Sequence, residues 1–216
     1  MNKKQINRNW SIVHVVDDNP AVRDAICWLV EQVGLEGRPY ASAQEFLAVY
    51  NGNTRGCLVL DIRMPGMSGL ELQDRLLTNH NRIPVIIVTG HGDVPVTVRA
   101  MKAGAYEFLQ KPFNDQDLLD AIQNGLKEYY DIWQEADHVE QLKQHLATLT
   151  PREHEVLEHL GLGKLNKVIA YEMGLSVRTV EGYRANIMNK FHVRTIGELM
   201  QIVLDLARYK IDMQAK

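Results

Sequence analysis

The chain has 216 residues, 45% of them hydrophobic and 24% charged, with a formal net charge of −3. That length holds one large domain or two small ones, and the balance is ordinary for a globular protein. No apolar run approaches the ~20 residues of a helical membrane span, and neither residues 1–130 nor 131–216 carry a net basic excess, so an apolar spanning helix and a uniformly basic nucleic-acid binder are both excluded.

The start, MNKKQINRNW, has no apolar segment of the kind a secretory signal needs and is read as a short disordered polar tail. Apolar runs at 12–16 (IVHVV), 57–60 (CLVL), 85–88 (VIIV) and 108–110 (FLQ) read as buried strands. Between them lie helices. One runs from Pro20, at its first turn, to Val33, with Gly34 as its stop. Ser42-Ala-Gln-Glu45 and Ser68-Gly-Leu-Glu71 have capping-box spacing, and each opens a helix. A further helix spans Val94 to Ala103, and another begins after Asn114 with Asp115 and Asp117 in its first turn. Strands alternating with helices at this spacing predict a parallel sheet covered on both faces. Cys27 and Cys57, each in an apolar segment, are read as buried free thiols of a reducing compartment.

From Leu118 to Leu149 there is no strand signal and no proline. Apolar residues recur at Leu126, Tyr129, Trp133 and Ala136 and again at Val139, Leu142, Leu146 and Leu149, with a shortened step between the sets. The helix after Asn114 is therefore expected to continue as a connector that packs either on its own domains or against a partner chain. The remainder reads as all helix. Thr150-Pro-Arg-Glu153 opens a helix that Gly161 ends, and a short helix covers Asn166 to Met173. Gly174-Leu175 makes a tight turn, Ser176 caps a helix to Phe191, and Thr195-Ile-Gly-Glu198 opens the last helix toward Tyr209. A helix, a tight turn with glycine and a longer helix are helix-turn-helix punctuation.

Asp17 and Asp18, Asp61, Thr89 and Lys111 each stand at the carboxyl end of one of the four strands. In an open parallel sheet those ends share one edge, where ligands bind. Three carboxylates suit an oxygen-liganded Mg²⁺, Lys111 and Thr89 suit phosphoryl oxygens, and Asp61 can attack phosphorus. Lys111-Pro112 is a candidate cis peptide. Taken singly, an aspartate after a strand is a turn former, a threonine there reflects β-propensity and a lysine is solvated surface; the case rests on their convergence. In the second half, residues 164–194 hold six basic residues against two acidic, a modest footprint for DNA. Along 176–190, Val177, Val180, Ile187 and Met188 take core-facing positions and leave Arg178, Glu181, Arg184, Ala185 and Lys190 outward. Glu181 suits a cytosine amino group, Arg184 guanine or phosphate, and Thr179 phosphate.

The stretches VVDDNPAVR (15–23), GCLVLDIRMPGMSGLEL (56–72), PVIIVTGHGDVPVTVRAMKAGAYEFLQKPF (84–113), LTPREHEVL (149–157) and VIAYEMGLSVRTVEGYRANIMNK (168–190) resemble the FixJ-type two-component response regulators over nearly the whole chain. The resemblance implies an α/β receiver at 11–127, doubly wound and flavodoxin-like, with a five-stranded parallel sheet of order 2-1-3-4-5. A helical linker at 128–147 and a LuxR-type all-α helix-turn-helix domain at 148–210 would follow. It implies Asp61 as phosphoacceptor from a sensor histidine kinase, and Mg²⁺ bound by Asp17, Asp18, Asp61 and the backbone carbonyl of Arg63. It also implies Thr89 and Phe108 as the switch pair and a homodimer through the 94–111 face on phosphorylation. Double-stranded DNA, met by Lys167, Arg178, Thr179, Glu181, Tyr183, Arg184 and Lys190, and RNA polymerase are the expected partners. A cytoplasmic transcription factor rather than an enzyme, without a membrane partner, is the expectation. Three positions depart from the pattern: Gly182 replaces a larger residue, Tyr183 a common histidine, and Leu165 a small capping residue. A Mg²⁺-dependent phosphatase with Asp61 as a turnover nucleophile is disfavoured, because its second acid, two residues on, is Arg63 here. A regulator that binds DNA constitutively is disfavoured by the intact acid set.

Overall fold

A computed structural model of the chain describes residues 10–51, 54–78, 83–90, 94–209 and 211. The expected tail at 1–9 lies outside the described residues. The chain divides into two compact units, residues 1–132 and 133–216. Among the described residues no helix is long and apolar enough to cross a membrane.

In the first unit β1 (Ile12–Val16), β2 (Glu36–Tyr40), β3 (Cys57–Leu60), β4 (Val85–Thr89) and β5 (Glu107–Gln110) form one parallel sheet of order β2-β1-β3-β4-β5. Helices α1 (Pro20–Gln32), α2 (Ala43–Val49), α3 (Gly69–Thr78), α4 (Val94–Lys102) and the start of α5 (Asp115–Ala147) alternate with the strands. Side chains alternate along each strand, so the sheet feeds two cores. Val16, Leu58, Leu60 and Ile87 pack with Phe46 and Leu72 on one face; Val13, Val15, Val59, Ile86 and Val88 pack with Leu118 and Ile122 on the other. The order 2-1-3-4-5 is as expected, but β2 has no signal of its own. Its sequence EGRPY is mostly exposed and contains Pro39, which an edge strand tolerates and a central one does not.

Two expectations are corrected here. Trp10, read as part of the tail, is buried; it meets the rings of Tyr129 and Tyr130 edge-on at 5.4 Å each, under the Arg55 guanidinium at 5.1 Å. An aromatic side chain that buries this much surface holds its segment down whatever the polarity of the residues before it. Cys27 is half-buried rather than buried, because it sits on the flank of α1 against the edge strand; Cys57, inside β3, is fully buried, and burial pushes its thiol well above the usual range.

Helix α5 is continuous for 33 residues, and its apolar residues divide where the spacing shifts. Leu126 packs in the first unit, whereas Leu142 and Leu146 join the core of the second. That second core also takes Leu157 from α6 (Pro151–Gly161), Ile169 from α7 (Asn166–Met173), Val180 and Ile187 from α8 (Val177–Lys190), and Leu199 and Leu206 from α9 (Ile196–Arg208). On the observed packing, the connector serves the chain's own domains.

His14, inside β1, is buried between Tyr40 and Phe46. Its Nε2 lies 3.1 Å from the Arg55 carbonyl, which can only accept, so Nε2 carries the proton and Nδ1 accepts from the Tyr40 hydroxyl at 3.0 Å. Burial lowers its pKa below the ordinary 6.5. A base whose folded pKa is depressed stabilises the fold above its unfolded pKa and loses that contribution as pH falls. The urea midpoint of the first unit is therefore expected to drop as pH falls from about 7 toward 5.5. His14→Gln, which can still donate to Arg55, should give a flatter profile over the same window; equal slopes would exclude His14 as the cause.

Candidate functional site

The sheet places the expected acids at its carboxyl edge. The Asp61 N–H donates to the Val16 carbonyl at 2.9 Å, so the start of the loop after β3 is fastened to β1. The Lys111 N–H donates to the Thr89 carbonyl at 2.9 Å and fastens β5 to β4. Asp17, Asp61 and Thr89 are buried and Asp18 is exposed. One oxygen from each of Asp17, Asp18 and Asp61 lies within 4.8 Å of the others. Such a set, all oxygen, fits a hard divalent cation with open positions for water or phosphate. A cis peptide joins Lys111 to Pro112, as the sequence suggested.

Lys111 Nζ contacts Asp17 Oδ2 at 2.6 Å and Asp61 Oδ1 at 3.4 Å. Burial, followed by the neighbouring Asp17 carboxylate, raises the Asp61 pKa, while Lys111 and the Arg63 N–H oppose the rise. The Arg63 N–H donates to Asp61 Oδ2 at 3.1 Å, which orients the carboxylate. Gly69 makes the sharp path of this loop feasible: a Cβ there would stand 2.2 Å from the Asp61 carbonyl oxygen. Phe108 is half-buried in β5 beside the core on the α3 and α4 side, paired in register with Ile87.

Sequence reasoning missed Arg23 and Asn19. Arg23 Nη1 donates to the Asp17 carbonyl at 2.6 Å, and the Asn19 N–H donates to Asp17 Oδ1 at 2.8 Å. Asn19 is also the N-cap of α1, accepting from the Ala21 N–H. The available signal was the Asn-Pro helix start directly after the acid pair, which turns the first helical turn back onto Asp17.

In the second unit α7 ends at Gly174, which has a left-handed φ of 66°, and Ser176 caps α8 through the Thr179 N–H at 3.0 Å. Leu165 gives α7 no side-chain cap, yet the helix starts at Asn166 as expected. Lys167, Arg178, Thr179 and Glu181 are exposed; Tyr183 and Arg184 are half-buried, with Tyr183 packed against the core and Arg184 donating to Asn166 Oδ1 at 3.2 Å. Val177, expected in the core, is 37% exposed, because it occupies the first turn of α8 before the helix meets its neighbours.

Lys190 points inward rather than toward an expected DNA contact. It contacts Glu153 Oε2 at 2.7 Å and the Thr148 carbonyl at 2.8 Å. Glu153 is buried and also closes the capping box with Thr150. Burial would raise its pKa, but the hydrogen bonds from Lys190 and Thr150 outweigh this and hold it below the usual carboxylate range. Lys164 is paired likewise, with Glu172 at 2.6 Å. Glu153 is the buried member of its pair, so removing Lys190 leaves that carboxylate an uncompensated charge. Lys190→Met should cost the second unit about 1–3 kcal/mol in chemical denaturation, whereas Lys167→Ala and Arg178→Ala should stay within about 0.5 kcal/mol.

Residues 13–123 match the response regulator receiver domain, and residues 147–203 match the bacterial regulatory proteins of the luxR family. The chain is similar to the transcriptional regulatory protein FixJ of Azorhizobium caulinodans, with 44% identity covering 89% of this chain and 91% of that protein. Among solved structures, the response regulator StyR aligns with 46% identity and a TM-score of 0.80 over 89% of this chain and 98% of that one. Full-length FixJ from B. japonicum aligns with 38% identity and a TM-score of 0.56 over 91% of this chain and 97% of that one.

Proposed function

We propose how this chain, which belongs to the two-component response regulators acting as transcription factors through a LuxR-type DNA-binding domain, turns phosphorylation into DNA binding. Asp61 is the phosphoacceptor. The observation that carries this is a buried carboxylate flanked by two further aspartates, with Lys111 reaching into the cluster. The donor is a phosphohistidine of a sensor kinase. The N–P bond breaks as an Asp61 oxygen bonds to phosphorus, and the imidazole leaves with the electron pair. Asp17, Asp18, Asp61 and the Arg63 carbonyl would hold Mg²⁺, which would supply positive charge against the transferring group. Arg23 and Asn19 keep Asp17 in place, the Arg63 N–H orients the Asp61 carboxylate, and Lys111 draws a phosphoryl oxygen to the side facing Thr89.

The acyl phosphate is a switch and not a turnover intermediate, since Arg63 stands where a phosphatase of the alternative class needs its acid. Thr89, at the end of β4, moves toward the phosphoryl group, and Phe108 turns into the space it vacates. The 94–111 face then self-associates. Val94, Val98 and Met101 are exposed on it, interleaved with Arg99, Lys102 and Glu107, a pattern that suits association with a second copy. Two receivers brought together present two helix-turn-helix units to paired half-sites, which raises affinity through effective concentration. Lys167, Arg178, Thr179, Glu181, Tyr183 and Arg184 face the duplex, and Lys190 acts within the domain. The reading places the protein in the cytoplasm, with RNA polymerase as the downstream partner.

Sedimentation velocity with Mg²⁺ and beryllofluoride, a phosphoryl mimic, tests the switch. The expected result is a monomer-to-dimer shift that is absent in Asp61→Asn and without Mg²⁺. A mass unchanged by beryllofluoride in the wild-type protein would overturn activation by receiver dimerisation.

A further inference from the structure

The helix proposed to read DNA contains a glycine for which the domain itself shows no need. Gly182 lies mid-way along α8 on its exposed side, and its backbone is not in the left-handed region. Among the described residues, a Cβ built there meets nothing within 4 Å beyond its chain neighbours and the backbone of its own helix. The mid-helix glycine of α5 is different. At Gly125 a Cβ would stand 3.2 Å from Pro84 Cβ and 3.3 Å from Tyr106 Cδ1, so packing imposes that glycine. Glycine inside a helix is less stable than alanine because it gives up more backbone freedom on folding. At Gly182 no crowding of that kind among the described residues requires the glycine.

With successive residues turned by about 100°, Arg178, Glu181, Gly182, Ala185 and Asn189 form one stripe, opposite the buried Val180 and Ile187. All five are exposed. The centre of the stripe is held by its two smallest residues, and its amino-terminal end by a cation and an anion that can address base edges. A helix entering the major groove is kept off the base pairs by the side chains at the middle of its outer face.

We infer that Gly182 is a specificity-determining position. Its missing side chain lets the backbone of α8 lie against the base pairs, at a depth that brings Arg178 and Glu181 to base edges. This rests on the reading of α8 as the recognition helix. The position is one where stability and function pull in opposite directions. Alanine strengthens the helix but lifts it from the groove.

The test uses the full-length protein activated with beryllofluoride. A duplex is first recovered by the wild-type protein from a randomised library, and a scrambled duplex of equal length serves as control. Gly182→Ala should slow amide exchange within 177–190, with opening up to about fivefold rarer. It should bind the selected duplex about tenfold more weakly and the scrambled duplex as the wild type does, and Gly182→Val should be weaker still on the selected duplex. Lys167→Ala, expected at phosphate, should lose affinity on both duplexes with a shallower salt dependence. Undiminished binding of Gly182→Ala to the selected duplex, or equal losses on both duplexes, overturns the inference. Failure of the wild-type protein to enrich any sequence, together with no effect of Lys167→Ala, overturns the recognition-helix reading and the inference with it.

Discussion

Three carboxylates gathered at one edge of a parallel sheet repel one another, and the first unit is organised around containing that repulsion. Parallel pairing of β1 with β3 brings Asp17 and Asp61 together, because both acids follow their strands by one residue and the strands are in register. The sheet interior behind them is apolar, so water gives little screening, and burial alone disfavours the ionised Asp61. Lys111 answers this from the far strand, 2.6 Å from Asp17. It is a partial answer, because Lys111 contacts two of the three carboxylates, Asp17 and Asp61. A site with this residual negative charge fits a hard divalent cation.

The same economy appears in the second unit, where charge has been divided between fold and surface. Six basic residues against two acidic along 164–194 look like one footprint in the sequence. Lys190 and Lys164 are paired with Glu153 and Glu172, whereas Lys167 and Arg178 stand out in solvent. Glu153 explains the first pairing. As the acid of a capping box it belongs at a helix start, but this start is buried, and a buried carboxylate needs a cation. Helix α5 shows a comparable division, with Leu126 committed to one core and Leu142 and Leu146 to another. A gap in apolar spacing that resembles a faltering coiled coil is the seam between two packing surfaces.

What could be read from the chain alone was whatever depends on local periodicity and end chemistry. Apolar runs marked four strands, and caps and glycines placed most helices to within a residue or two. The acids, Thr89 and Lys111 were legible because each stands at or just past the carboxyl end of a strand, and in a parallel sheet that position by itself specifies an edge. Strand β2, the burial of Trp10, the half-exposure of Cys27 and Val177, the inward turn of Lys190 and the support of Asp17 by Arg23 were not legible. Each depends on what a residue meets across space. An edge strand is defined by its neighbour's hydrogen bonds rather than by its own pattern, and a lysine's direction is set by where an unpaired buried acid lies. Sequence fixes which groups exist and how far apart they are along the chain; tertiary structure decides which of them share a dry space, and there charge must be matched.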